Sequence, residues 1–278
     1  MQNAFSLSVQ RAQPLNIMMV IDKHMVFQAL NLCRTVIANN PHDALVIYLV
    51  CDNVTSAQRQ TLIQAFAANP LVTIHLITPK MPLPTNVATS YRIPRTAYYR
   101  IFVDQLLAEY PIERVLYLDV DMVNTGALRP LYETALGQNV IGAVADGGDL
   151  NRFAKMQLAQ VASDRYFNSG MLLIDVARWR RDHVGDDVLT YAQEHADRCR
   201  YHDQDALNAI LHGQWHQLHP RYNAQTNIML GQTRRFTQDV LRRVRAHPVL
   251  VHFCGHKKPW QADFPHPHLK QMYYGAGH

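Results

Sequence analysis

The sequence predicts an α/β protein built on a mainly parallel sheet with helices on both faces. Short apolar runs rich in β-branched residues alternate with segments of helical periodicity from residue 16 to residue 77. That βαβαβ rhythm is the pattern of parallel strands joined by crossover helices. Hydrophobic residues make up 48% of the 278 positions, enough for a sizeable core and against global disorder. No internal repeat, low-complexity tract or clear linker interrupts the chain, so a single domain over 1–278 is the simplest organisation.

Residues 16–21 (NIMMVI) read as a buried strand, and 26–38 carry apolar residues at helical spacing. Residues 44–50 (ALVIYLV) form the next strand. Residues 55–68 open on Thr55-Ser56 before helix formers, a capping signal, and 71–77 give a third strand. After a loop at 79–84 (PKMPLP) comes a helix at 97–110, then a strand at 114–118 that ends in Asp119-Val120-Asp121. Residues 140–145 form a strand closed by Asp146-Gly147-Gly148, and 167–174 place Asn168-Ser169-Gly170 before an apolar run. Residues 188–211 are largely helical with a break near 201–204, and 249–253 are a late strand.

The formal charge is +5, which suits an anionic partner such as a phosphorylated substrate, a membrane surface or nucleic acid, and equally serves solubility alone. Cys33, Cys51, Cys199 and Cys254 are scattered, with no CxxC pair. That argues against a disulfide framework and is compatible with a reducing compartment. The opening MQNAFSLSVQRAQPL lacks the basic start and long apolar run of a signal peptide. The longest apolar runs, such as 44–51, are too short to span a bilayer. The expectation is a soluble, cytoplasmic protein.

Chemistry concentrates in five places. In LYLDVDMV (116–123), Asp119 and Asp121 stand two apart at the carboxyl end of an apolar strand. In extended chain they share a side and face the crevice where open α/β sheets bind ligands. Two such anions are a site for a divalent cation; the bland alternative is a pair of turn caps. In VLVHFCGHKKPW (249–260), His252 could supply an imidazole to the same cation, with Lys257 and Lys258 as donors to phosphate oxygens. Its alternative is a satisfied core histidine beside solvated lysines. In YHDQDAL (201–207), Asp205 reads as a helix-capping residue, whereas Asp203 and Gln204 suit a polyhydroxylated ligand. FNSGMLLI (167–174) sets small polar groups before a buried strand, as a turn also would. Asp22, followed by His24, ends the first strand, where a nucleotide base or ribose often docks. No GxGxxG or GxxxxGK[ST] follows it, against a dinucleotide fold or a P-loop.

Taken in order, the strand ending in Asp22, TAYYRI with Arg100, LYLDVD, GAVAD with Asp146, FNSGMLLI, YHDQDALN and HFCGHKKPW resemble glycosyltransferase family 8. Within it the likeness is greatest to bacterial lipopolysaccharide α-galactosyl- and α-glucosyltransferases, and it runs from Asn16 to Trp260. No one motif is specific; the ordered set is. The resemblance implies a GT-A fold, with a Rossmann-like nucleotide-binding half over about 15–125, an acceptor-binding half over about 126–260 and a tail at 261–278. It implies Mn2+ or Mg2+ held by Asp119, Asp121 and His252, gripping the diphosphate of UDP-galactose or UDP-glucose. Lys258 matches the phosphate-contacting lysine, and Gly255 lets the backbone approach the diphosphate. Asp22 matches a uracil or ribose contact; His24, Arg100, Val120, Asp146 and Asn168 fall in the donor-binding set. Gln204 and Asp203 are the catalytic candidates. His24 stands where relatives often carry Asn, and His202 where some carry Gln.

The activity implied is transfer of a hexose, with retention, to a saccharide acceptor such as a lipid-linked cell-surface glycan; nucleic acid is not among the partners. Retention could proceed through a covalent intermediate on Asp203 or, the favoured route, by same-face attack. A sugar nucleotidyltransferase would carry a Gly-rich basic loop after the first strand, where this chain reads IDKHMVFQ. An inactive nucleotide-sugar-binding protein would have lost Asp119, Asp121 or His252, and all three are present. Residues 234–245 (RRFTQDVLRRVR) could form a basic amphipathic helix lying on anionic lipid, or a solvated surface helix.

Overall fold

The computed structural model describes residues 13–82, 84–90, 95–158, 160–162 and 165–275. Most of the amino-terminal stretch read for a leader lies outside the described residues. Strands β1 (Leu15–Asp22), β2 (Leu45–Asp52) and β3 (Val72–Ile77) alternate with helices α1 (Val26–Asn39) and α2 (Ser56–Gln64). Thr55 caps α2 reciprocally with Gln58, as the Thr-Ser start announced. Strand β4 (Arg114–Leu118) pairs with β1 on the side away from β2, and β6 (Ile141–Ala145), β7 (Phe167–Asp175) and β8 (Trp215–Gln217) complete a seven-stranded sheet. Its order is β3-β2-β1-β4-β7-β6-β8, and β7 alone runs against its neighbours.

Period-two alternation divides the strand side chains between two cores. Ile17, Met19 and Ile21 of β1, with Leu116 and Leu118 of β4, pack on Leu32 and Val36 of α1. Met18, Val115 and Tyr117 face the opposite side, against Tyr98, Ile101 and Trp179. A second, small sheet joins β5 (Met122–Asn124), β9 (Ala224–Gln225) and β10 (Leu250–His252) in the order β5-β10-β9.

Short helices fill the middle of the chain: α3 (Val103–Leu106), α4 (Arg129–Tyr132), α5 (Arg152–Lys155) and α6 (Val176–Arg181). The sequence predicts one α-helix over 97–110. The chain instead winds as a 3-10 helix over Arg95–Phe102 before the single turn of α3. Buried ionic contacts of Arg100 in this segment outweigh the local α preference. The predicted helical stretch 188–211 resolves into α7 (Val184–Glu194) and α8 (Asp203–Leu211). Its break ends on His202, at φ 53° and ψ −121°, a strained backbone for a residue with a β-carbon.

Helices α9 (Thr226–Met229), α10 (Gln238–Ala246) and α11 (Pro267–Gly275) lie in the last part of the chain. The basic amphipathic pattern at 234–245 becomes α10, and its Leu241 and Val244 are fully buried against Ile228, Phe253 and Leu269. The apolar face that lipid insertion would need is packed inside the protein. No helix among the described residues is long and apolar enough to cross a membrane.

Candidate active site

The chain builds β1, β2 and β3 outward on one side and then crosses back to lay β4 on the other side of β1, so the crevice beyond the carboxyl ends of β1 and β4 is a topological switch point. β1 and β4 run parallel with Ile17 opposite Leu116, which brings the ends at Asp22 and Asp119 to the same edge. Past that end, the Asp119 N–H donates to the Gly170 carbonyl at 2.8 Å, tying the turn to β7. β5 then pairs with β10, placing Met122 opposite His252, and the Phe253 N–H donates to the Asp121 carbonyl at 3.0 Å. The small sheet thus carries His252 to the two carboxylates.

One ligand atom from each of Asp119, Asp121 and His252 lies within 4.8 Å of the others, the one such cluster among the described residues. The Nε2 of His252 lies 3.2 Å from Asp121 Oδ1, yet that buried oxygen accepts no hydrogen bond. Two hard oxygens and an imidazole nitrogen, one of the oxygens buried without a donor, fit a divalent cation.

The remaining charges are matched. Lys258 Nζ lies 2.6 Å from Asp121 Oδ2 and donates to the Phe253 carbonyl at 2.8 Å. Burial pushes the Asp121 carboxyl up, but the Lys258 ammonium beside it is the largest influence holding it well below the usual carboxylate range. The Tyr117 hydroxyl donates to Asp119 Oδ1 at 2.7 Å. Arg100 reaches Asp119 Oδ1 at 3.1 Å and Asp203 Oδ2 at 2.9 Å, so one guanidinium joins the metal side to the start of α8. Burial pushes the Asp203 carboxyl up to about 6, with Arg100 pulling it down and Asp119 pushing it up.

Beside this cluster lies a network of amides and a carboxylate. Asn168 Nδ2 donates to Asp146 Oδ2 at 3.1 Å and to Gln204 Oε1 at 3.2 Å. Gln204 Oε1 also accepts from the Ser169 N–H at 3.0 Å and the Ser169 hydroxyl at 3.3 Å. Its Nε2 donates to the Tyr166 hydroxyl at 3.2 Å, which in turn donates to Asp205 at 2.6 Å. Asp205, expected as a capping residue, does accept the Tyr201 N–H, and it also takes the guanidinium of Arg152.

The structure therefore brings together Arg100, Asp119, Asp121, Asp146, Asn168, Asp203, Gln204, His252 and Lys258. Val120 is buried between the two carboxylates. Asp22 and His24 form their own turn at the end of β1, the His24 N–H donating to Asp22 Oδ1 at 2.8 Å, and are not among the residues bonded into this cluster. Gly255 is exposed at φ 116°, a backbone that only glycine takes without strain.

Three residues at the site carried no signal as isolated letters. Tyr117 read as strand core and Gly170 as part of a turn. Asn223, fully buried, bonds both His252 and Asn168. Nothing in its surroundings (HPRYNAQ) distinguishes it from a loop asparagine.

The profile of glycosyl transferase family 8 matches residues 16–263. General stress protein A of Bacillus subtilis is 36% identical over 190 residues, covering 66% of this chain and just under two thirds (66%) of that protein. Lipopolysaccharide 1,2-glucosyltransferase of Escherichia coli is 28% identical over 240 residues, covering 85% of this chain and 70% of that protein. The crystal structure of the galactosyltransferase LgtC with donor and acceptor sugar analogues superposes with a TM-score of 0.76 at 23% identity, over 94% of this chain and 92% of that one. That likeness establishes the GT-A fold. With a family match spanning nearly its whole length, this chain belongs to glycosyltransferase family 8.

Proposed function

We propose that the protein transfers a hexose, galactose or glucose, from a UDP-sugar to a saccharide acceptor with retention of the α configuration, using Mn2+ or Mg2+. The observation that carries this reading is the convergence of Asp119, Asp121 and His252 at the switch point, next to the polar network of Asp146, Asn168 and Gln204. Asp119, Asp121 and His252 would hold the cation, whose positive charge would offset that gathering on the departing diphosphate. Lys258, already beside Asp121, adds a cationic donor for the same oxygens. Gly255 leaves the backbone without a β-carbon where the diphosphate would approach. Asp146 and Asn168 present acceptor and donor atoms to sugar hydroxyls, each held by the other and by Gln204.

The states of the two catalytic candidates favour same-face attack. Gln204 Oε1 accepts three donors, and Asp203 is buried and paired with Arg100. Neither is free to act as a nucleophile, so Gln204 serves to orient Asp146 and Asn168, and the leaving phosphate oxygen takes the acceptor's proton. The acceptor class that the family reading favours is a lipopolysaccharide or other cell-surface glycan.

The test is UDP release from a panel of UDP-sugars, with Mn2+ and with EDTA, on the wild type and Asp121→Ala. Turnover of one UDP-hexose only with metal and only by the wild type supports the reading and names the donor. Absence of turnover and of binding with every sugar nucleotide would overturn it.

A further inference from the structure

We propose that Asn223 is a positioning residue that selects the imidazole tautomer of His252, leaving Nε2 with the lone pair a cation requires. The inference rests on the metal-site reading above and concerns the neutral imidazole.

An asparagine amide can be turned end for end, so its orientation must be set by a partner of unambiguous polarity. Here that partner is the backbone N–H of Gly170, which donates to Asn168 Oδ1 at 3.1 Å. A backbone N–H can only donate, so the oxygen of Asn168 is the atom that faces it. Asn223 meets the same oxygen at 2.9 Å and must present its NH2 group there. Its own oxygen is thereby turned to His252 Nδ1, 3.0 Å away. A carbonyl oxygen can only accept, so Nδ1 carries the proton, and in a neutral imidazole Nε2 then carries none. Nε2 is also the nitrogen that faces Asp121.

The other end of the chain gives the same polarity. The Ser169 N–H fixes the oxygen of Gln204 at 3.0 Å, and the NH2 group of Asn168 faces that oxygen and Asp146 Oδ2. Two backbone N–H groups of β7 therefore determine, through three side-chain amides, which nitrogen of a histidine on another sheet is protonated. Asn223 is fully buried, so water does not readily replace it. Without it, the imidazole can move its proton to Nε2 and donate to Asp121 Oδ1, the arrangement that blocks a cation. Partners that orient a ligating histidine in this way typically contribute 10–100-fold to metal affinity.

The experiment is a titration with Mn2+ alone, the free ion read by electron paramagnetic resonance, on wild type, Asn223→Ala, Asn223→Leu, His252→Ala and the double variant Asn223→Ala/His252→Ala. Circular dichroism confirms folding. Asn223→Ala and Asn223→Leu should bind Mn2+ about 10–100-fold more weakly than wild type. In the His252→Ala background, Asn223→Ala should add no further loss, because its effect passes through that ring. Unchanged affinity in the single variants overturns the proposal. So does a full additional loss in the double variant, which would mean that Asn223 supports the fold rather than the histidine. A wild type that binds no Mn2+ removes the metal-site reading instead. In that case, or if the Asn223 variants do not fold, 15N-histidine-labelled wild type at alkaline pH decides the tautomer. A proton on His252 Nδ1 is expected there, and one on Nε2 overturns the proposal.

Discussion

A β-carbon on Gly170 would lie 2.9 Å from Nδ1 of His252, closer than real side chains approach. The same atom would lie 2.9 Å from Asp119 Oδ2. Strand β7 therefore passes directly beneath the candidate metal ligands, and the close packing of interiors leaves no room between them. Gly170→Ala should fold, because its backbone is not in the left-handed region, but it should push His252 or Asp119 aside. The expected outcome is a fall of about 10-fold or more in Mn2+ affinity and in turnover, since small displacements of ligands and reacting groups cost that much. Mn2+ titration beside thermal unfolding checks it. An alanine variant with wild-type affinity would show that the contact is not limiting.

Arg100 links the two halves of the site by pairing with Asp119 and Asp203, its guanidinium also lying 4.8 Å over the Tyr117 ring. Arg100→Met would leave two carboxylates uncompensated, one of them buried, and should destabilise the fold by about 3–5 kcal/mol. The double variant Arg100→Met/Asp203→Asn should recover part of that loss, because one orphaned charge is gone. Urea unfolding of the wild type, Arg100→Met, Asp203→Asn and the double variant measures both. A single-variant loss below about 0.5 kcal/mol would mean that solvent compensates the pair.

Asp203 gives a pH dependence with a definite sign. Its folded pKa is raised to about 6, chiefly by burial, from an unfolded value of about 3.9. Between about pH 4 and 6 the folded protein holds this proton more tightly than the unfolded chain. The contribution is therefore fully present below pH 4 and is lost as pH rises through 6. Relative to Asp203→Asn, the wild type should lose on the order of 2 kcal/mol between about pH 4 and 7. Urea unfolding at the two pH values tests this, and a difference that stays flat or grows would assign the titration elsewhere.

Much of the main sheet and of the candidate metal cluster is legible because β1, β2, β3, β4, β6, β7 and β10 carry short apolar runs, and Asp119 and His252 fall at the ends of two of them; the short strands β5, β8 and β9 carry no such run and are not predicted. The strands that lead to Asp119 and to His252 are read correctly from their continuous apolar runs. The 3-10 winding at Arg95–Phe102 was not legible, since it follows from where the Arg100 partners lie, 19 and 103 residues away along the chain (119 − 100 and 203 − 100). Asn223 and Gly170 were hidden for a related reason. Their roles are defined by a polar partner and by a steric limit on another sheet, and neither leaves a periodic trace.

Helix α10 separates a lipid-facing role from a structural one. Its Leu241 and Val244 are buried, while Arg242 and Arg243 pair with Asp239 at 2.9 Å on the exposed face. Leu241→Ala should cost about 2–5 kcal/mol of stability, as buried truncations do. Replacing Arg242 and Arg243 by Gln should change stability by no more than about 0.5 kcal/mol, since exposed ion pairs contribute little. With the apolar face occupied, any attraction to vesicles of anionic lipid would be electrostatic and should vanish at physiological ionic strength, where the Debye length is about 8 Å. Co-sedimentation with such vesicles at low and physiological salt, on wild type and the Arg242→Gln/Arg243→Gln variant, reads this directly. Binding that survives salt in both proteins would mean that a different surface inserts into lipid.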